Sequence, residues 1–266
     1  MGKYLKTLLI IFVLVFATVS AVMGTKVLSE ERITTDGSDH YAPAIYGDIV
    51  VWQDYRILNN ADIWGYNLNT KQEFQITPYE KDQEDPAIYG DIVVWRDNRN
   101  GNWDIYGRNI RTMEADFQIT SESANQINPA IYGDIVVWLN ETDHNIYGYN
   151  LKTKEGFQIT TDGSNQTVPA IYGDIVVWQN YEEDKNVDIW GYNLNTKQEF
   201  QITPYKDSQE EYPAIYCDRV VWQDSRHDNK EIYLAYLDVV CETETPKKSF
   251  PMNWIMKKFG LGKFKE

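Results

Sequence analysis

The decapeptide PAIYGDIVVW at Pro43–Trp52 occurs four times in this chain, and a near copy, PAIYCDRVVW, occurs once. The identical copies begin at Pro43, Pro86, Pro129 and Pro169, and the near copy begins at Pro213. Their tryptophans are separated by 43, 43, 40 and 44 residues. This period is typical of a β-propeller, in which each repeat forms one four-stranded blade.

Each repeat contains four strand signals. PAIY is followed by Gly-Asp, which favours a tight hairpin turn. IVVW is apolar at every position, which predicts a strand that is buried on both faces between neighbouring blades. A third strand such as DIWGYNL (from Asp62) and a fourth such as EFQIT (from Glu73) complete the unit. A glycine in the third strand is expected to let a neighbouring aromatic ring approach closely; these glycines are Gly65, Gly107, Gly148 and Gly191.

The two ends of the repeat region complement each other. The fifth copy stops after its third strand, and an isolated fourth-strand signal, Glu31-Arg32-Ile33-Thr34, precedes the first copy. Because an open stack of sheets leaves exposed faces and unpaired edges, we expect the end blades to meet. The sequence predicts an all-β, five-bladed propeller of four-stranded antiparallel blades, with the strand near Ile33 completing the fifth blade. An open array is the alternative.

The chain divides into three parts by composition. Residues 1–24 combine a short basic start with the apolar run Thr7 to Gly24, which is typical of a secretory signal peptide or an uncleaved anchor. Residues 29–241 hold the propeller, and residues 242–266 form a basic tail. The expected location is therefore extracellular or at the cell surface.

Charge excludes one class of partner. Residues 1–28 and 242–266 hold nine of the 25 basic and three of the 40 acidic residues, which leaves 16 and 37 in the propeller region. Nucleic acid is not expected as a partner, because phosphate binding depends on Lys and Arg. Contact with a membrane is expected only through residues 7–24, if they are uncleaved, or through the tail.

The stretch VVWRDNRNGNWDIYGRNI, from Val93 to Ile110, resembles the TolB-type propeller repeat, a relative of the WD repeat. The matching residues are Asp97, Arg99, Gly101, Asp104, Ile105 and Tyr106. The resemblance covers about 29–241 and is closer to archaeal cell-surface propellers. It implies the fold and a scaffold or binding role. A Tol-type partner role does not follow, because five repeats stand where TolB has six and an extra domain.

Variable loops are the expected place for binding, since a rigid scaffold presents them. The long loops between the second and third strands and the links between blades share one rim, which we call the long-loop rim. The candidate binding residues there are Asp54, Arg56, Asp97, Arg99, Trp103, Tyr181, Asp224 and Arg226. Four interpretations stay open: structural Asp–Arg pairs, calcium binding by Asp and Asn oxygens, sugar binding by aromatic faces, and a catalytic carboxylate pair.

The remaining reactive residues are few. Cys217 and Cys241 are candidates for a disulfide in an exported protein, and Asn140 and Asn165 begin glycosylation sequons. The three histidines have no metal-ligand spacing and are expected in solvent. No cofactor is expected, with calcium as a minority interpretation, and no convincing catalytic constellation is found.

The function predicted from sequence is a non-catalytic binding or scaffold module at the cell surface, with a cell-envelope protein or polysaccharide as partner. The first alternative is a carbohydrate-binding, lectin-like propeller. The second is a five-bladed glycoside hydrolase.

Overall fold

A computed structural model of the chain describes residues 30–57, 60–181, 186–204, 208–227 and 229–239. The predicted signal segment 1–24 and the tail 242–266 lie outside these residues. The chain divides into two compact units, one ending at Thr35 and the other beginning at Asp36, and every described strand belongs to the second. Across the described ranges there is no helix of the length and hydropathy that crossing a membrane requires.

The second unit contains five consecutive antiparallel sheets, and each sheet is one blade. The first blade consists of β1 (His40–Tyr46), β2 (Ile49–Ile57), β3 (Asn60–Asn67) and β4 (Gln72–Gln75). The second consists of β5 (Gln83–Tyr89), β6 (Ile92–Asp97), β7 (Asp104–Asn109) and β8 (Phe117–Gln118). The third consists of β9 (Gln126–Tyr132), β10 (Ile135–Asn140), β11 (Ile146–Asn150) and β12 (Glu155–Gln158).

The fourth blade consists of β13 (Asn165–Tyr172), β14 (Ile175–Tyr181), β15 (Val187–Asn193) and β16 (Gln198–Gln201). The fifth has three strands, β17 (Glu210–Tyr216), β18 (Arg219–His227) and β19 (Asn229–Tyr236). The prediction of an all-β, five-bladed propeller is confirmed, but the expected meeting of the end blades is not seen, because the apolar clusters of the described residues join only successive blades.

The structure corrects the prediction that a strand near Ile33 completes the fifth blade. The fifth sheet has the order β17-β18-β19, and residues 30–35 contain no strand. In the other blades a fourth-strand phenylalanine lies on the third-strand glycine. In the fifth blade Leu234 stands at the glycine position, opposite Val221 as Gly65 is opposite Val51, and Glu31 stands where the phenylalanine would be. A carboxylate cannot supply the apolar contact that holds the fourth strand.

The core lies between blades, as the IVVW pattern predicts. In the second blade Val93, Val94 and Trp95 are all fully buried, because alternate side chains face the preceding and the following blade. Four apolar clusters of this kind join the five blades. The exceptions lie in the end blades: Val221 in the fifth is 37% exposed because no described sheet covers its outer side, and Val50 in the first is half-buried.

The proline and glycine of the motif each fulfil a backbone requirement. Each first strand has an irregular register at its proline, as between Glu84 and Ala87, and proline is suited to such a site because it has no N–H to donate. The predicted Gly-Asp hairpin turns are present, and Gly90 has a φ of 60°. Cys217 holds the same turn position with a φ of 60°, which is unusual for a residue with a side chain.

The third-strand glycines lie directly under phenylalanine rings, as predicted. A Cβ placed on Gly148 would be 2.5 Å from two ring carbons of Phe157. A Cβ on Gly156, in the neighbouring strand, would have no atom closer than 3.9 Å. The four glycine–phenylalanine pairs therefore fix how closely the fourth strand approaches the third.

Gly148→Ala is expected to lower the free energy of unfolding by about 1–3 kcal/mol, because the added methyl group overpacks the Phe157 contact. Gly156→Ala is the matched control and should change it by less than about 0.5 kcal/mol. Urea denaturation of both variants measures the difference. A Gly148→Ala variant as stable as the control would contradict the close approach, whereas partial recovery in Gly148→Ala/Phe157→Leu would support it.

Candidate functional site

A layer of buried polar side chains crosses every blade at the long-loop rim. In the second blade Gln83, Asp97 and Asp104 stand opposite one another on three adjacent strands, and all three are at most 1% exposed. The other blades repeat the arrangement. The first-strand members are His40, Gln83, Gln126, Gln166 and Glu210, and their second-strand partners are Asp54, Asp97, Asn140, Asn180 and Asp224.

The predicted Asp–Arg residues form ion pairs inside this layer. The Asp97 carboxylate accepts hydrogen bonds from Trp95 Nε1 at 3.0 Å and from the backbone N–H and Nε of Arg99, each at 2.9 Å. The Arg99 guanidinium lies 3.7 Å from the ring centre of Tyr79 and 4.2 Å from that of Tyr106. Such a pair is strong because its donors, acceptors and aromatic faces all match.

The same pair recurs in the first and fifth blades. Arg56 donates to Asp54, and Arg226 donates to Asp224. Burial acts to raise the pKa of Asp54, but hydrogen bonds from Arg56 and Trp52 outweigh it and hold the pKa below its ordinary value. The Asp224 pKa is lowered in the same way, against burial, by its hydrogen bonds from Arg226 and Trp222.

The third blade keeps the turn without the charge. Asn140 takes the aspartate position, and its Oδ1 accepts the backbone N–H of Thr142 at 2.9 Å. The shared role of this position is therefore to fix the first turn of the long loop. This agrees with the structural interpretation of the Asp–Arg pattern.

The other two predicted site residues lie apart. The guanidinium carbon of Arg96 lies 4.5 Å from the ring centre of Trp103, and Tyr181 is 38% exposed with its hydroxyl 3.4 Å from Gln179 Nε2. The eight predicted residues thus occupy equivalent or separate places on four blades rather than one cluster. Their role in binding stays a prediction.

A cluster around His40 was missed by the sequence analysis, which expected all three histidines in solvent. His40 Nε2 lies 3.3 Å from both Asp36 Oδ2 and Asp54 Oδ2, and its side chain is only 17% exposed. Hydrogen bonds from the side chain and backbone of Ser38 lower the pKa of Asp36 to about 2. The register of β1 and β2, which places His40 opposite Asp54, was the available signal.

Asp36, His40 and Asp54 could together offer three metal-ligating atoms within 4.8 Å of one another. Arg56 Nη2, however, lies 2.9 Å from Asp36 and 2.7 Å from Asp54, and so already brings positive charge to both carboxylates. The cluster is accounted for as an ion-pair network, and the calcium interpretation stays untested.

Glu210 is the acidic exception in the first-strand position, where the second, third and fourth blades have glutamine. It is fully buried, with Ser208 Oγ donating to its Oε1 and Thr203 Oγ1 3.4 Å from its Oε2. Burial raises the pKa of Glu210, and the negative charge of Asp224 adds to the effect. A protonated Glu210 resembles the glutamine of the other blades.

A second candidate site lies at the opposite rim, where the Gly-Asp turns are. A cavity of about 550 Å³ opens there between the third, fourth and fifth blades. Asp134, Asp174 and Asp238 contribute exposed carboxylates, and the amide of Asn195 donates to Asp174 at 2.5 Å. Among the described residues that line the cavity, none is Lys or Arg.

A row of tyrosines supports this rim. The rings of successive blades lie with centres 4.7, 4.6, 4.5 and 4.9 Å apart; they belong to Tyr46, Tyr89, Tyr132, Tyr172 and Tyr216. Burial, followed by hydrogen bonding with Tyr172, raises the pKa of the Tyr132 phenol, so this ring is uncharged at neutral pH. The cavity therefore combines tyrosine rings with carboxylates.

The predicted modification sites are placed as follows. Cys217 lines the cavity and is disulfide-bonded, whereas its predicted partner Cys241 lies outside the described residues. Asn140 ends β10 and is only 9% exposed, which leaves little access for a glycan there. Asn165 is exposed at the start of β13, as a glycan acceptor would need to be.

Comparison with known proteins identifies the fold. No family model and no curated protein matches the sequence. TolB from Acinetobacter baumannii has a TM-score of 0.56 and 16% identity, over 72% of this chain and 53% of that one. A nidogen/laminin complex has a TM-score of 0.53 and 11% identity, over 74% of this chain and 76% of that one. A prolyl endopeptidase has a TM-score of 0.58 and 10% identity, over 79% of this chain and 36% of that one.

These similar structures are β-propellers, and sequence identities of 10–16% support a shared fold and nothing further. The chain spans about half of the length of the Acinetobacter TolB and about a third of the prolyl endopeptidase chain. The TolB-type resemblance of the sequence is thereby supported at the level of a β-propeller. The closer resemblance to archaeal cell-surface propellers stays a prediction.

Glu210→Gln is expected to stabilise the protein at neutral pH and to flatten its pH dependence. A carboxyl whose pKa is raised on folding contributes stability that is fully present below its unfolded value, here 4.5, and that is lost as the pH rises through the folded value. The wild-type midpoint temperature should therefore fall between pH 4.5 and neutral pH more steeply than that of the variant.

Thermal unfolding followed by circular dichroism at several pH values measures this difference. Glu155→Gln, at an exposed position, is the control for the loss of one negative charge. If the wild type and Glu210→Gln change in parallel with pH, Glu210 is not the titrating group.

Proposed function

We propose that the protein is an exported, non-catalytic binding module of the cell surface, and that the cavity at the Gly-Asp rim binds a positively charged segment of an envelope protein. The observation that carries this proposal is the cavity lining, in which three carboxylates lie beside tyrosine rings and none of the described lining residues is Lys or Arg. A Lys or Arg side chain can bind the carboxylates through charge-assisted hydrogen bonds and the tyrosine rings through cation–π contact.

Three further observations support a protein as the partner. The propeller region has a net charge of −21, which attracts a basic partner and accelerates encounter. The apolar run in residues 7–24 is consistent with export. Among the similar folds are TolB and a propeller within a nidogen/laminin complex, the latter a complex between proteins.

The carbohydrate-binding alternative is less well supported, because sugar rings stack on exposed aromatic faces. Tyr132 has neighbouring ring centres at 4.6 and 4.5 Å, from Tyr89 and Tyr172. The face of Trp103, one of the two aromatic residues proposed from the sequence, lies against Arg96, whereas the other, Tyr181, is 38% exposed. The ring faces of Tyr132 and Trp103 are thus occupied by the protein's own side chains.

The hydrolase alternative has no specific observation in its favour. The enzymes among the similar structures share 10–13% identity with this chain, which supports the fold and no reaction. The buried carboxylates of the long-loop rim are held by Arg, Trp and Gln donors. Glycoside hydrolysis instead requires two carboxyl groups that flank an open substrate site.

Fluorescence anisotropy with labelled Lys/Arg-rich peptides tests the proposal. The double variant Asp134→Asn/Asp174→Asn should bind about tenfold more weakly, which corresponds to ~1.4 kcal/mol. Added salt should reduce the difference, since the attraction is between partly exposed charges.

Asp48→Asn/Asp91→Asn is the matched control, because these residues occupy the same Gly-Asp turns of the first two blades, outside the cavity. Equal weakening in both double variants would indicate a general effect of net charge and contradict a site at the cavity. Binding on a glycan array, with none to basic peptides, would favour the lectin-like alternative.

A further inference from the structure

The contact between successive blades has a constant composition. At the first interface Val51 and Ile63 of the first blade pack against Ile88, Val93 and Trp95 of the second. The equivalent positions form the interfaces between the second and third, third and fourth, and fourth and fifth blades. Each blade thus presents one type of apolar face to the blade before it and another to the blade after it.

The outermost blades leave one face of each type exposed. On the fifth blade Ile232 is 74% exposed, although its counterpart Ile63 is fully buried. On the first blade Ile45 is 62% exposed, although its counterpart Ile88 is only 8% exposed. Core positions of both faces are therefore accessible at the two ends, although on the first blade Val50 is half-buried and Trp52, the counterpart of Trp95, is only 2% exposed.

Sequence departures in the fifth blade enlarge its outer face. Leu234 replaces the third-strand glycine and Tyr236 replaces the asparagine that follows two residues later, and they are 46% and 70% exposed. Substitution of Gly and Asn positions by large apolar residues is opposite to what solvent exposure favours.

The tyrosine row ends in the same way. Tyr89, Tyr132 and Tyr172 each have a ring neighbour on both sides, and all three are half-buried. Tyr216, the last member, is 64% exposed. A further blade placed after the fifth would extend the row through its own tyrosine.

We propose that the outer face of the fifth blade packs against the first blade of a second copy of the chain, as each blade packs against the next within one copy. The four internal interfaces support a second copy as the occupant. In each of them, residues equivalent to Val221 and Ile232 of one blade pack against a residue equivalent to Ile45 of the next blade. The contact is heterologous, so the copies form a ring or a head-to-tail chain. It repeats the internal contact at these positions, and Leu234 and Tyr236 of the fifth blade add apolar area to it.

Two single variants of the purified full chain test this pairing. Ile232→Glu removes the fifth-blade face, and Ile45→Glu removes the first-blade face. Because both side chains are mostly exposed, neither substitution enters the core of one copy. Light scattering after size exclusion should show the wild type as a dimer or larger, and each variant alone as a monomer.

Mixing the two variants provides the decisive measurement. Ile45→Glu keeps its fifth-blade face and Ile232→Glu keeps its first-blade face, so an equimolar mixture should form a one-to-one dimer. Met113→Glu, on an exposed turn of the second blade, is the matched control and should keep the wild-type mass.

Three results would overturn the proposal. A wild type that is monomeric at high micromolar concentration would mean that another part of the same chain covers the faces. An association insensitive to both substitutions would assign it to a different segment. Monomeric variants that stay monomeric on mixing would mean that the faces do not pair with each other.

Discussion

The structure depends on a strand that is apolar on both faces. Val93, Val94 and Trp95 cannot be shielded by one layer, because adjacent side chains of a strand point to opposite sides of the sheet. Each IVVW strand therefore requires a neighbouring blade on either side. Burying a side chain of this size stabilises the fold by about 1.5–3 kcal/mol, so every internal interface is worth several such contributions. This constraint explains both the repetition of the motif and the exposed faces at its two ends.

At the edge of that apolar core, hydrogen bonds within each blade offset the free-energy cost of burying polar side chains. Every blade places a first-strand and a second-strand polar side chain opposite each other at the long-loop rim, and hydrogen bonds satisfy most of their atoms. The Asp–Arg pairs belong to this system. An aspartate that accepts three hydrogen bonds from its own blade is committed to holding the loop, whatever the loop itself contacts.

The repeat made the fold predictable from the sequence, but it gave no signal for the candidate site at the cavity. The period, the Gly-Asp turns and the glycine–phenylalanine contacts could all be read from the sequence, because each requires one residue type at one position. The closing strand was predicted wrongly. The prediction relied on Ile33 and Thr34, which match the repeat, and overlooked Glu31 and Leu234, which stand at the positions of the phenylalanine and the glycine and so remove their contact. The cavity could not be predicted either, since it is formed by turns that are uniform in sequence and distant along the chain.

Near-identical blades also limit where function can reside. Five equivalent environments give five equivalent side-chain arrangements, so specificity must come from the departures. These concentrate at the ends of the repeat region: His40 and Tyr41 in the first blade, and Glu210, Cys217 and Leu234 in the fifth. The acidic cavity reaches the same end through Cys217 and Asp238. Each middle blade has a neighbour on both sides and therefore needs the same apolar core. Each end blade lacks a neighbour on one side, and there the sequence departs from the repeat toward apolar and acidic side chains.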